Sequence, residues 1–419
     1  MNKLLTTVTR TSLALSFIVV RTISLAAETE TVAKTETESD LQADLLSLME
    51  KGDIPGLAAA ALVDGEIVWM GALGTADFKT ERPMTTSTVL NIGSVSKLVT
   101  STAVLQLFQE GKIDLDEDVN QYLPFAVQHP RGNSPITVRQ FLTHTSGIQD
   151  GDSYGESYAC GDPAVTLEKW LRGYLIPGGT YYDGDNFLES GPGTTFEYSN
   201  VGYGLLGMVA QHVSGQDFSE LTRKKIFAPL DMESTGWMLA DIDPNRLATP
   251  YWVVREGVEP DSDEKALLPE GPFETGEYVP FCLYSFYNYP DGLLRTTIED
   301  LTAFVQATTP GKSVGEPLLS QETRQQVFRN QIPEIETDGR TQGLGWRRND
   351  TRTFGILWGH GGVDPGVRAH ILHRPGDGVT VLAMSNALVV EEFRPILELL
   401  FAESARTSLE PPPVQKSDP

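Results

Sequence analysis

The sequence predicts an α/β protein of the α+β type. One antiparallel sheet is built from N- and C-terminal strands and flanked by helices, with a mostly helical lobe inserted between them. Three observations predict it. Gly56 to Ala76 reads as two strands around Asp64-Gly65, a strong hairpin signal. Phe354 to Gly359, Val367 to His373 and Val379 to Ser385 are strand-like, and Asp377-Gly378 marks a second tight turn. Roughly residues 115–340, between these groups, are rich in Gly, Pro and Tyr and read as helix and long loop. Strands at both ends imply one sheet, and the inserted lobe implies a cleft against it.

Taken in order, the chain opens on an expected export signal over residues 1–26. Lys3 and Arg10 supply positive charge, Thr11 to Val20 is mostly apolar, and Ser24-Leu25-Ala26 is a small-residue cleavage pattern. The expectation is an exported protein, periplasmic or secreted. Arg21 interrupts the apolar run and leaves too little for a membrane span. Residues 27–39 form a polar linker with nothing to bury, expected to be disordered. One domain is expected over 40–405, beginning with a short amphipathic helix from Asp40 to Glu50. Leu388 to Glu403 suggests a closing helix, and 406–419 a disordered, Pro-rich tail.

The formal net charge of −25 excludes whole classes of partner. Nucleic acids and anionic membranes are bound through clustered Lys and Arg, which such a surface lacks. Solubility is the simpler reading of the acidity. Two cysteines, Cys160 and Cys282, are present. Export permits a disulfide between them, and the sequence leaves that pairing and two free thiols both open.

The chemistry centres on Ser94 and Lys97, three residues apart at the start of an apolar helical stretch. Residues i and i+3 share a helix face, so the amine can reach the hydroxyl. Serine needs a base to become a nucleophile, and lysine serves as one where burial favours its neutral form. Leu98, Val99, Ala103, Val104, Leu107 and Phe108 have the spacing of a buried face, and Gly111 is a stop. A second copy, Ser262-Asp263-Glu264-Lys265, sits in an acidic stretch with no apolar helix behind it and reads as solvated loop.

Three further segments add candidates. Tyr198-Ser199-Asn200 offers a phenol to shuttle protons and an amide to hold a carbonyl or orient the lysine. His360-Gly361-Gly362 offers glycines that let a ligand approach a strand backbone, whose N–H groups could serve an oxyanion. His144, in Leu142-Thr143-His144-Thr145-Ser146-Gly147, reads as a structural residue at a helix end rather than a base.

Together these residues resemble the serine β-lactamase and penicillin-binding-protein superfamily over about residues 50–385. The class C-like branch is nearest: family VIII carboxylesterases, D-alanyl-D-alanine carboxypeptidases and D-aminopeptidases. Ser-x-x-Lys, Tyr-x-Asn and a His-x-Gly in place of Lys-Thr-Gly stand in that family's order. The Leu142 to Gly147 segment, Gly343 to Trp346, Pro290-Asp291-Gly292-Leu293 and Thr296 to Leu301 also look like this branch. The resemblance implies Ser94 as nucleophile, Lys97 as its general base and Tyr198 as the proton carrier to the leaving group and from the deacylating water. It further implies Asn200 and His360 in the catalytic set, Ser94 and Val363 N–H groups as the oxyanion hole, and Gly361 and Gly362 beside the substrate. The implied reaction is acyl transfer through an acyl-serine on small ester, amide or peptide substrates, with no metal and no cofactor.

His360 departs from the family's lysine. A histidine, only partly charged near neutral pH, favours ester or small amide substrates over a class C-like β-lactamase, which stays as the alternative. Arg368 reads as an exposed strand arginine, although it could supply a cation for a carboxylate. A non-catalytic binding or sensor protein keeping the fold is the rival from another class, and the retained Ser, Lys, Tyr and Asn argue against it. His370 and His373 would face opposite sides of a strand.

Overall fold

A computed structural model describes residues 40–311, 317–335, 341–388, 391 and 393–409. The expected export signal, the linker over 27–39 and the tail from 410 onward lie outside the described residues. The chain divides into two compact units, Met1–Leu48 and Met49–Pro419. In the first, the described residues are helical, the beginning of α1 over 40–51.

The second unit holds an antiparallel sheet of eight strands. Its N-terminal strands are β1 (Gly56–Val63), β2 (Glu66–Asp77) and β3 (Arg82–Pro83). Its C-terminal strands are β4 (Thr341–Gln342), β5 (Arg347–Thr351), β6 (Gly355–Asp364), β7 (Val367–Arg374) and β8 (Val379–Ser385). The order β4-β5-β6-β7-β8-β1-β2-β3 joins the two ends of the chain, as the sequence predicts. The seam runs from Leu57 opposite Ser385 to Val63 opposite Val379. β1 is an unbroken apolar run, Gly-Leu-Ala-Ala-Ala-Ala-Leu-Val, because a central strand is covered on both faces. The β1–β2 turn takes Asp64 (φ 49°) and Gly65 (φ 83°) into the left-handed region, which Asp tolerates and Gly prefers.

On the inner face of the sheet lies α2 (Ser96–Gln109), buried nearly all round. A helix without a solvent face needs partners for its buried hydroxyls. Thr100 donates to Pro290 O at 2.6 Å and Thr102 to Leu98 O at 2.8 Å. Gly111 (φ 67°) ends the helix region as expected. On the outer face lies α10 (Phe393–Leu409), with Pro395 tolerated in its first turn. β7 separates the two faces by alternation. Val367, Ala369, Ile371 and His373 are buried, while Arg368, His370, Leu372 and Arg374 are half-buried toward α10. His370 and His373 thus face opposite sides.

Between β3 and β4, among the described residues, come helices α3 (Val138–Leu142), α4 (Leu167–Leu175), α5 (Asn200–Ser214), α6 (Phe218–Thr222), α7 (Ser262–Leu267), α8 (Ile298–Thr308) and α9 (Gln321–Val327). Three short ladders tie this region together, one pairing Ala159–Cys160 with Tyr284–Ser285. A Cys160–Cys282 disulfide lies beside that ladder, so the two thiols left open by the sequence are joined.

Three expectations are corrected. Ser262–Leu267 is a helix, not a loop, because Asp261 caps it and Glu264 completes a capping box. β6 runs on past its expected end at Gly359 to Asp364, and the strand placement expected for His360-Gly361-Gly362 holds. α10 begins at Phe393 and reaches Leu409, so residues 406–409 are helix rather than tail.

Candidate active site

Ser94 sits in a single 3-10 turn, Gly93–Val95, that feeds directly into α2. Gly93 takes φ 51°, a conformation that glycine adopts without strain. Lys97, one turn on, is fully buried. Its Nζ contacts Ser94 Oγ at 3.0 Å, Asn200 Oδ1 at 2.6 Å and Asp291 O at 2.8 Å. Nζ donates in all three, so the Asn200 and Asp291 oxygens fix the amine against the Ser94 hydroxyl.

Asn200 is the first residue of α5. Its backbone N–H, with that of Val201, donates to the Asp150 carboxylate at 2.9–3.0 Å. Burial raises the Asp150 pKa, while those helix-end N–H groups and Lys97 oppose the rise. Ser199 caps the same helix by accepting from Gly202 N–H at 3.0 Å. The Asn200 amide is therefore fixed by two caps that the sequence reading did not name. Asn288 donates from Nδ2 to Asn200 O at 2.8 Å, and Tyr154 OH donates to Asp291 Oδ2 at 2.8 Å. Burial pushes the Asp291 carboxyl up to about 7. Asp291 belongs to the Pro290 to Leu293 segment, and that is the sequence signal for this support.

Tyr198 is half-buried, with Lys97 Nζ 5.0 Å from its ring centroid. His144 stacks on that ring at 4.4 Å and accepts from Ser199 N–H through Nδ1 at 3.1 Å. Burial, with Lys97 and His360 nearby, keeps His144 uncharged. The residue is structural, as its place after a helix suggests, and its structural task is to hold Tyr198. Arg347 lies over the other reach of the Tyr198 ring, 5.9 Å from its centroid, a neighbour the sequence did not reveal.

His360 is also brought to the cluster, its ring 6.1 Å from that of Tyr198. Burial, reinforced by Lys97, lowers its pKa to about 3. The expectation of partial charge near neutrality is thus corrected: this imidazole is neutral. Its Nδ1 donates to Gly361 O at 2.7 Å, so Nε2 carries a lone pair, buried and without a partner among the described residues.

β6 meets the Ser94 turn edge-on. A Cβ on Gly93 would fall 2.8 Å from Val363 N, and one on Gly362 would fall 2.0 Å from Ile92 O and 3.3 Å from Ser94 N. The Ser94 and Val363 backbones therefore share one junction. Gly362 makes room for the Ser94 turn. Gly361 makes room for His370, whose Nε2 would lie 2.8 Å from a Cβ there. Both glycines were expected beside substrate; a Cβ on either would meet protein, and Gly361 also lines a groove on the outer face of the sheet.

The comparisons with known proteins follow the same lines. A family model described as Beta-lactamase matches residues 41–403. "Protein flp" of Staphylococcus aureus is 26% identical over 348 residues, covering 81% of this chain and 61% of that protein. "Esterase EstB" of Burkholderia gladioli is 28% identical over 246 residues, covering 57% of this chain and 60% of that protein. The chain thus spans about three fifths of the length of these curated relatives. The D-amino acid amidase of Ochrobactrum anthropi, solved with L-phenylalanine, superposes with a TM-score of 0.70 at 22% identity, covering 89% of this chain and 100% of that one. That likeness is one of fold. With a family model spanning nearly all of the described chain and a serine, lysine, tyrosine and asparagine gathered at one junction, the chain belongs to the Beta-lactamase family.

Proposed function

We propose that this chain is a serine hydrolase that cleaves small ester or amide substrates through an acyl-serine. One observation carries the reading: a buried lysine amine held 3.0 Å from the Ser94 hydroxyl by two fixed oxygens. Lys97 takes the Ser94 proton as Oγ attacks the substrate carbonyl. The oxyanion forms at the junction of the Ser94 and Val363 N–H groups. One such donor supplies about 3 kcal/mol of transition-state stabilisation. Tyr198 passes a proton to the leaving alcohol or amine, then takes one from the water that splits the acyl-serine. Asn200 holds Lys97 and offers its amide to the substrate. The kinship with an esterase and the shared fold of a D-amino acid amidase support this class of reaction.

The neutral His360 bears on the substrate. An uncharged ring with a free acceptor at Nε2 suits a substrate N–H or O–H donor, not a carboxylate. That weakens the β-lactamase alternative and favours carboxylesterase or D-amino-acid peptidase activity. The site would be reached in an exported protein, periplasmic or secreted, a reading that the Cys160–Cys282 disulfide supports.

Intact-mass spectrometry after incubation with a short ester, a D-Ala-D-Ala peptide and a cephalosporin tests the reading. The expected result is an acyl adduct that maps to Ser94 and clears fastest with the ester or the peptide. No adduct with any of the three would end the hydrolase reading. A cephalosporin adduct that clears fastest would shift the function to β-lactamase.

A further inference from the structure

The outer face of the sheet carries a groove that includes His360, Gly361 and Val363 and extends well beyond them. Its volume is about 720 Å³, inside the ~300–1,000 Å³ range of small-molecule sites. It starts at His360, Gly361 and Val363 on β6 and crosses β5 and β7 to α10. Beyond Gly359, β6 has no partner strand on the β5 side among the described residues, so this end opens at a free edge. Phe354, Leu357, Leu372, Phe393 and Leu397 make the groove apolar.

Its charge runs against the composition. The chain carries 57 acidic and 32 basic side chains. Yet four arginines line the groove, Arg347, Arg352, Arg368 and Arg394, and among the described residues no Asp or Glu does. Arg368 is the most informative. The sequence favoured an exposed strand arginine, but this one is half-buried, with Nε buried and unpartnered among the described residues. Its guanidinium carbon lies 5.9 Å from the Phe393 ring. His370, two residues on and on the same face, also leaves Nδ1 buried and unpartnered. Arg394, by contrast, bonds Glu398 at 3.1 Å. A partly desolvated guanidinium without an acceptor is destabilising, and an arriving anion would offset that cost.

The groove shares Val363 and Arg347 with the surroundings of the Ser94 junction. Val363 lines it and also abuts Gly93, and Arg347 lines it and also overlies Tyr198. We propose that the groove holds the anionic end of the substrate, so that preferred substrates are esters or amides whose acyl part is an apolar chain ending in a carboxylate. This rests on the serine-hydrolase reading and deepens it. Ser94 Oγ would displace the alcohol or amine, which leaves with a proton. Water would then split the acyl-serine, releasing a dicarboxylate and restoring the Ser94 hydroxyl. With His360 neutral, recognition of the distant charge falls to Arg368.

The test compares p-nitrophenyl octanoate with p-nitrophenyl hydrogen suberate, equal chains without and with a terminal carboxylate. The full chain should prefer the suberate by about tenfold or more in kcat/KM, the size of one charge-assisted hydrogen bond. Arg368→Gln should cut that preference by about tenfold, mainly through KM for the suberate, and Arg368→Lys should restore part of it. Arg352→Gln, at an exposed position, should cut it less and covers the case in which the Arg368 variant fails to fold. Equal rates on the two esters, or a preference that neither arginine change moves, would overturn the subsite while leaving the hydrolase standing. Turnover of neither ester, with no acyl adduct, would overturn both.

Discussion

The chain contains the same four-residue spacing twice, and the two copies differ in everything but spacing. Ser94–Lys97 and Ser262–Lys265 both lie at the start of a helix, so the i, i+3 geometry is available to each. Lys97 is fully buried and bonded to Ser94, Asn200 and Asp291. Ser262 and Lys265 are exposed, and the Ser262 hydroxyl bonds only its neighbour Asp263 among the described residues. The helix places a serine and an amine on one side. What separates a reactive pair from a solvated one is the set of oxygens around the amine and the exclusion of water, both supplied by segments more than 100 residues away.

The comparison breaks most directly at the nucleophile. Ser94→Ala should reduce hydrolysis of p-nitrophenyl acetate to background with the circular dichroism spectrum kept, and Lys97→Met should do nearly the same. Retained turnover in the serine variant would falsify the assignment. Next in size, Tyr198→Phe should slow turnover about 100-fold or more, the range for a general acid–base group; a near-normal rate would remove the phenol from the proton path.

Gly362→Ala asks whether the junction itself matters. Its Cβ would fall 2.0 Å from Ile92 O, so β6 must move away from the nucleophile turn. A displacement near 1 Å can cost about 100-fold in rate, and overpacking costs about 1–3 kcal/mol of stability. An unchanged kcat with unchanged urea midpoint would show that the close approach is not needed.

A smaller effect concerns pH. Burial lowers His360 and His370 to about 3 and His373 to about 4. The unfolded chain binds these protons near the ordinary 6.5, so their contribution is complete above pH 6.5 and is lost as pH falls toward 4 and below. Asp291, raised to about 7, and Asp364, raised to about 6, act oppositely, stabilising below about pH 4 and losing that contribution as pH rises through 4–7. His373→Gln should therefore make the fall in stability between pH 6.5 and 4 shallower by about 2 kcal/mol, measured by urea unfolding at several pH values. An unaltered slope would contradict the burial account. Smallest of all, Ser262→Ala and Lys265→Ala should leave turnover within error, and any loss there would undo the contrast between the two copies.

Much of this was legible in residue order. Asp64-Gly65 and the alternating C-terminal runs announced the hairpins, because turn chemistry and period-2 patterning are local. The Ser94 helix showed its buried face for the same reason. Ser262–Leu267 was misread because a helix that short has no apolar face, and its Asp261–Glu264 capping box was the local signal passed over. His360 misled in a different way. Its residue type suggested partial charge, whereas its protonation depends on burial and on Lys97, 263 positions earlier.

The sequence by itself determined the elements, the order of the candidate side chains and the net acidity, since these depend on neighbours a few residues apart or on totals. Only the tertiary structure decided which serine meets a buried amine, that Gly362 makes room for the Ser94 turn, that burial pushes the His360 pKa down and that Arg368 turns into a groove lined, among the described residues, by no carboxylate. The reason is physical. Desolvation and hydrogen-bond partners are properties of a place in space, and in this chain each such place is built by strands and helices drawn from both ends.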